Sequence, residues 1–127
     1  MRLAAIALLS VLFVAGCASS AGPANSARQI DRDVLSREEI LQTGSRNVYD
    51  AILALRRNWL VTRGVDSLNN PVQVQVYLDD SRLAGVETLR QISVIDLDFV
   101  RYYNGREASV RWGLNHGQGA IYVATIR

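Results

Sequence analysis

The chain of 127 residues has one cysteine, one histidine, two prolines, one methionine and no lysine. One cysteine excludes an intramolecular disulfide and any cysteine-rich metal site. One histidine leaves an imidazole metal site without a second nitrogen ligand. Serine hydrolysis fares no better: Ser109 lacks a motif such as G-x-S-x-G, and His116 alone does not make a triad. All fourteen basic residues are arginine, against twelve acidic residues. Arg2 falls in an N-terminal leader, so the remainder is close to neutral. Its arginines are dispersed, which argues against nucleic acid as a partner. Apolar runs are scarce too: the one long run, Leu3 to Val14, is too short to span a bilayer well.

That run has the shape of a secretory signal: a basic Arg2, an apolar stretch, then small residues. It ends in Val14-Ala15-Gly16-Cys17, which resembles the bacterial lipobox. The resemblance implies cleavage before Cys17 and lipid on its sulfur, an anchor worth about 0.8 kcal/mol per buried methylene. Ala18 in place of aspartate implies the outer membrane, periplasmic face. The alternative is an ordinary secretory signal cut near Ala18, with Cys17 incidental. The expected organisation is a signal segment over 1–17, a tether over 18–35, whose small polar part Ala18 to Ala27 has nothing to bury, and one domain over 36–127.

Within the domain, Ser36-Arg37-Glu38-Glu39 predicts a capping box and a short helix to Gln42. A second helix is expected to start from Ser45 as N-cap. Its inward stripe would be Val48, Tyr49, Ile52, Leu53 and Leu55, with Trp59 and Leu60 tucked under a sheet. Arg63-Gly64 and Ser67 to Pro71 read as loop. Val72 to Leu78 alternates as a half-buried strand, with Val72, Val74, Val76 and Leu78 inward and Tyr77 outward. Asp79-Asp80-Ser81 turns the chain, and Val86 to Ile92 forms a short helix. Val94 to Tyr103 is the next strand, with Ile95, Leu97, Phe99 and Tyr103 on one face and Asp96, Asp98, Val100 and Tyr102 on the other. Asn104-Gly105 ends it. Arg106 to Arg111 has no strand alternation and reads as a helical turn. Gly113 to Gly119 is a glycine-rich loop without the Gly-Lys-Ser/Thr ending of a phosphate loop. Ala120 to Ile126 is the last strand. Helices alternating with strands predict an α+β fold, a small mixed sheet with packed helices.

Five segments carry a resemblance in order and spacing: Val76 to Asp80, Leu89 to Ile92, Ile95 to Tyr103, Ala108 to Gly113 and Gly119 to Val123. Together they resemble the plug domain of TonB-dependent outer-membrane receptors, with its "V-x-V/L-D-G", "D-I-E-S-I-E-V-L", "A-S-A-L-Y-G" and "G-G-V-I-N-I" motifs. The resemblance implies a plug-like fold and a loop surface used for binding. Two departures limit it. The sequence ends at Arg127, where a receptor would begin its barrel of many ten-residue strands. Arg32 to Ser36 is a poor match to a TonB box. Receptor transport is therefore not carried over.

Tyr77, Tyr102, Tyr103, Trp112 and Tyr122, with Arg101, Arg106 and Arg111 nearby, suit a partner surface, because tyrosine and tryptophan bury area while keeping a polar handle. Core packing is the competing reading for Trp112 and some of the tyrosines. The candidate partner or ligand surface is Tyr102, Arg106, Arg111, Trp112 and His116. Asp79-Asp80 and the pair Asp96 and Asp98 read as turn and strand-edge residues. An enzyme would need a deep pocket with converging polar groups, and Asp79, Asp80, His116 and Arg106 meeting in one cleft would favour that reading. The expectation is a non-enzymatic, lipid-anchored binding or scaffolding module without cofactor or metal, which docks on an envelope protein or captures a small ligand. The alternatives are an accessory to TonB-dependent uptake and a cell-envelope enzyme.

Overall fold

The computed structural model describes residues 32–62 and 73–127. The signal segment with Cys17, the tether up to residue 31, the loop 63–71 and Val72 lie outside the described residues. Five strands form one mixed sheet: β1 (Val34–Ser36), β2 (Gln75–Leu78), β3 (Ser81–Leu83), β4 (Leu97–Tyr103) and β5 (Ala120–Thr125), in the order β1-β4-β5-β2-β3. β2 and β5 are parallel, and the other pairs are antiparallel. The small mixed α+β fold expected from the sequence is the fold observed.

One face of the sheet carries the main core. Helices α1 (Arg37–Gln42) and α2 (Val48–Arg56) and short 3-10 turns at Arg57–Trp59, Val86–Gln91 and Val94–Asp96 cover it. Ile40, Val48, Ile52, Trp59, Leu89 and Val94 pack there on Leu35, Val76, Leu97, Val100, Ile121 and Val123. Full burial of each larger aliphatic side chain contributes roughly 1.5–3 kcal/mol. The other face is covered in part by α3 (Gly105–Trp112), which lies over a smaller cluster of Tyr77, Ala108 and Ala120.

Local signals explain the helices. The capping box is formed: the Glu39 amide donates to the Ser36 hydroxyl at 3.3 Å, and the Ser36 amide donates to the Glu39 carboxylate at 2.9 Å. Arg37 ties α1 to the entry of β4 by donating to the carbonyls of Leu97 and, at 2.7 Å, Ile95. The second helix is capped by Asn47, not Ser45. The Asn47 side-chain oxygen accepts from the Asp50 amide at 2.9 Å, whereas the Ser45 hydroxyl accepts from Thr43. Starting at Val48 places Val48, Ala51, Ile52 and Leu55 on the inward line. Leu53 falls on the flank and is 38% exposed.

Three strand assignments are corrected. Val34–Ser36 is not tether: it pairs with β4, and Leu35 is fully buried. The domain therefore begins before Ser36. Ser81–Leu83 forms an additional strand, paired to β2 across the turn at Asp79-Asp80, where Asp79 takes φ 51°. Tyr77 does not face solvent, because α3 covers it, leaving it 6% exposed.

The fourth correction sets the chemistry of both faces. Regular alternation would put Leu97, Phe99 and Tyr103 together. In the structure Leu97 pairs with Thr125, and Phe99 already pairs with Ala124. Asp98 is the extra residue of a β-bulge, and it shifts the phase of everything after it. Leu97, Val100 and Tyr102 face the main core, and Phe99, Arg101 and Tyr103 take the second face.

Candidate functional site

The second face of the sheet is assembled from β4, β5, β2 and α3. The Asn104 side-chain oxygen caps α3 by accepting from the Glu107 amide at 3.0 Å, so Asn-Gly here starts a helix and does not close a hairpin. Gly105 is required by proximity: a Cβ there would overlap the Gly117 backbone. The loop over 113–119 is then folded back under α3 by His116, which is 3% exposed. Nδ1 of His116 faces the carbonyl oxygens of Gly113 at 2.8 Å and Leu114 at 3.2 Å, so it carries the hydrogen. Its other ring nitrogen, Nε2, pairs with the Tyr77 hydroxyl, 2.8 Å away.

Above this clamp lies a cluster of aromatic rings. Trp112 stacks on Tyr77 at 4.3 Å with an interplanar angle of 9°. Tyr103 meets Trp112 edge-on at 5.1 Å, and Phe99 lies 6.1 Å from Tyr122. Such pairs contribute about 0.5–1.5 kcal/mol each beyond area burial. Strand register aligns Arg101 opposite Tyr122, Tyr122 opposite Tyr77, and Tyr77 opposite Arg82. The guanidinium carbon of Arg101 sits 4.5 Å over Tyr103. Arg101 Nε is buried without a hydrogen-bond partner. Arg111, exposed in the last turn of α3, lies over Tyr103, Trp112 and Tyr122. Phe99, Tyr103, Trp112 and Tyr122 are all half-buried. This is an aromatic platform flanked by arginines that α3 covers only in part.

Of the five residues predicted as a surface, Arg111 and Trp112 lie on this platform, and His116 is buried beneath it. Arg106 is exposed on the first turn of α3. Tyr102 is on the opposite face of the sheet. The bulge at Asp98 turns it toward the main core, where it stacks on Trp59 at 5.6 Å and its hydroxyl donates to the Gln118 carbonyl at 3.2 Å. Phe99, expected on the same face as Leu97, joins the platform because the bulge, which has no local signature in the sequence, turns it away from that face.

Asp79 and His116 do not converge in one cleft. Asp79 follows β2 and accepts from the Thr125 amide at 3.0 Å and the Thr125 hydroxyl at 2.7 Å. These bonds hold its carboxyl below the usual carboxylate range. His116 lies at the other end of the parallel β2/β5 pair, ahead of Gly119, whose carbonyl accepts from the Gln75 amide. Among the described residues, no group of three or more His, Cys, Asp or Glu side chains could hold a metal ion. No described helix is long and apolar enough to cross a membrane.

A separate open cleft of about 500 Å³ is lined by Arg32, Asp33, Arg56, Asn58 and Trp59. Burial raises the Asp33 carboxyl above its ordinary value and Glu107 adds to this, while Arg101, Arg32 and Arg56 oppose it. Arg56 donates to the Arg32 carbonyl at 3.2 Å, which fixes one wall of the cleft.

Comparison of the chain with protein-family models, with curated proteins and with solved structures gives no match.

Proposed function

We propose that this protein is a non-enzymatic binding or scaffolding module, held by lipid on Cys17 at the periplasmic face of the outer membrane. In this reading the sheet face bearing Phe99, Tyr103, Trp112, Tyr122, Arg101 and Arg111 docks on an envelope protein. The observation that carries the reading is that face. Half-buried tyrosine, tryptophan and arginine side chains are enriched where protein interfaces concentrate their binding energy, and single anchors there cost 2 kcal/mol or more on truncation. The lipobox resemblance supports the anchor, and the ordered motifs from Val76 to Val123 support a plug-like domain.

The test is affinity capture of the intact lipoprotein from envelope fractions, comparing the unaltered chain with Tyr122→Glu and with Leu53→Glu on α2. The expected result is a partner lost with Tyr122→Glu and kept with Leu53→Glu. A partner equally retained by both variants, or none, contradicts the reading. A recovered TonB-dependent receptor would assign the module to nutrient uptake. For the anchor, Cys17→Ala is expected to abolish lipid labelling and release the chain from membranes.

A further inference from the structure

The side chain of Arg111 occupies a corner made by three aromatic rings. The Trp112 and Tyr122 rings are near-parallel, 24° apart in orientation with centroids separated by 6.5 Å. Tyr103 stands perpendicular to both, at 87° and 89°. The guanidinium carbon lies 5.0 Å from the Trp112 centroid, 5.4 Å from Tyr103 and 5.6 Å from Tyr122. It is therefore nearly equidistant from three π faces and tightly stacked on none. Arg90 gives the contrast within the same molecule: its guanidinium sits 3.6 Å over Tyr49 and is held by ion pairs to Glu87 and Asp50. Arg111 makes no ion pair or hydrogen bond among the described residues.

A flat guanidinium fills one ring face well and a corner between perpendicular rings badly. A corner of orthogonal rings suits a rounder cation, attracted by each ring quadrupole and needing no hydrogen-bond acceptor. We infer that Tyr103, Trp112 and Tyr122 form a recognition site for a quaternary ammonium group, which Arg111 covers in the free protein. The ligand displaces Arg111. An exit is built into α3: Glu107 precedes Arg111 by four residues, the favourable order for a helical ion pair. The pair is not formed while Arg111 lies over the rings.

This inference rests on the binding face proposed above and names one chemistry for it. The probe is tetramethylammonium chloride, followed by NMR at the Trp112 indole in the full chain. Arg111→Ala removes the cation shared by the three rings, leaving Arg101 on Tyr103, and is expected to tighten binding about fivefold, since an exposed cation–π contact is worth about 1 kcal/mol. Tyr122→Leu, with its fold checked by circular dichroism, is expected to abolish the response. Glu107→Gln weakens binding only while Arg111 is present. Choline in solution and phosphatidylcholine vesicles, against phosphatidylglycerol vesicles, separate a free ligand from a lipid headgroup. The inference is overturned if Arg111→Ala binds the probe no more tightly than the unaltered chain. It is equally overturned if the neutral carbon isostere of choline produces the same response. Loss of a protein partner in the capture experiment leaves this readout untouched, so the two readings fail separately.

Discussion

The hydroxyl of Tyr77 lies 2.8 Å from Nε2 of His116, and this buried pair joins a central strand to the loop that follows α3. The histidine has its other nitrogen committed to the Gly113 carbonyl. Removing the hydroxyl leaves a buried ring nitrogen without its partner, which costs about 1–3 kcal/mol. Tyr77→Phe is therefore expected to lower the thermal midpoint measurably while the Trp112 stacking remains. An unchanged midpoint would mean that the loop is held by other contacts.

Asp79 closes the far end of the same parallel pair through Thr125. Its carboxyl is depressed in the folded chain, so its contribution to stability is present above the unfolded value and lost as pH falls through the folded one. Asn tolerates the positive φ at this position, so Asp79→Asn isolates the charge. Denaturation across an acid series should show the variant less stable at neutral pH, with the gap closing on acidification. A gap that stays constant with pH would show that the charge is not responsible.

The bulge at Asp98 yields a sharper test of the strand phase. Deleting Asp98 restores simple alternation, with Leu97 still facing the core and Phe99 still facing away. Deleting Arg101 inverts the faces of the residues around it. Circular dichroism melts should show the first variant folded and the second unfolded or severely weakened. Comparable damage from both deletions would refute the assigned register.

How far the sequence revealed the molecule depends on whether a signal is local. The Ser36 and Glu39 capping box and the helical reading after Asn104-Gly105 rest on residues within one turn of each other, and both are found. β1 and β3 have three residues each, too few for alternation to register, and they exist because of partners distant in sequence. Tyr77 looked solvent-facing beside Gln75 because nothing in its own strand says that α3 will cover it. The bulge is likewise visible only in the pairing with β5, and it exchanges Tyr102 for Phe99 on the candidate surface. The arginine and tryptophan of α3 were legible, since their neighbours on the helix are set by local geometry.

Two glycines distinguish crowding from backbone strain. At Gly105 a methyl group would meet the Gly117 backbone, whereas Gly44 has open space but φ +67°. Gly44→Ala should cost about 1–2 kcal/mol, the left-handed penalty alone. Gly105→Ala has to separate α3 from its following loop, and should cost more than Gly44→Ala despite the better helix propensity of alanine. Chemical denaturation of both variants checks the order, and a reversed order would contradict the packing of α3 described above.

The most direct measurement for the proposed docking face is site-specific photo-crosslinking in intact cells. A benzophenone amino acid is placed at Phe99 on the aromatic face, and in a second chain at Leu53 on α2. The account predicts a discrete adduct with an envelope protein from position 99, lost with Tyr122→Glu, and none from position 53. No adduct from position 99, or the same adduct from both positions, would contradict it.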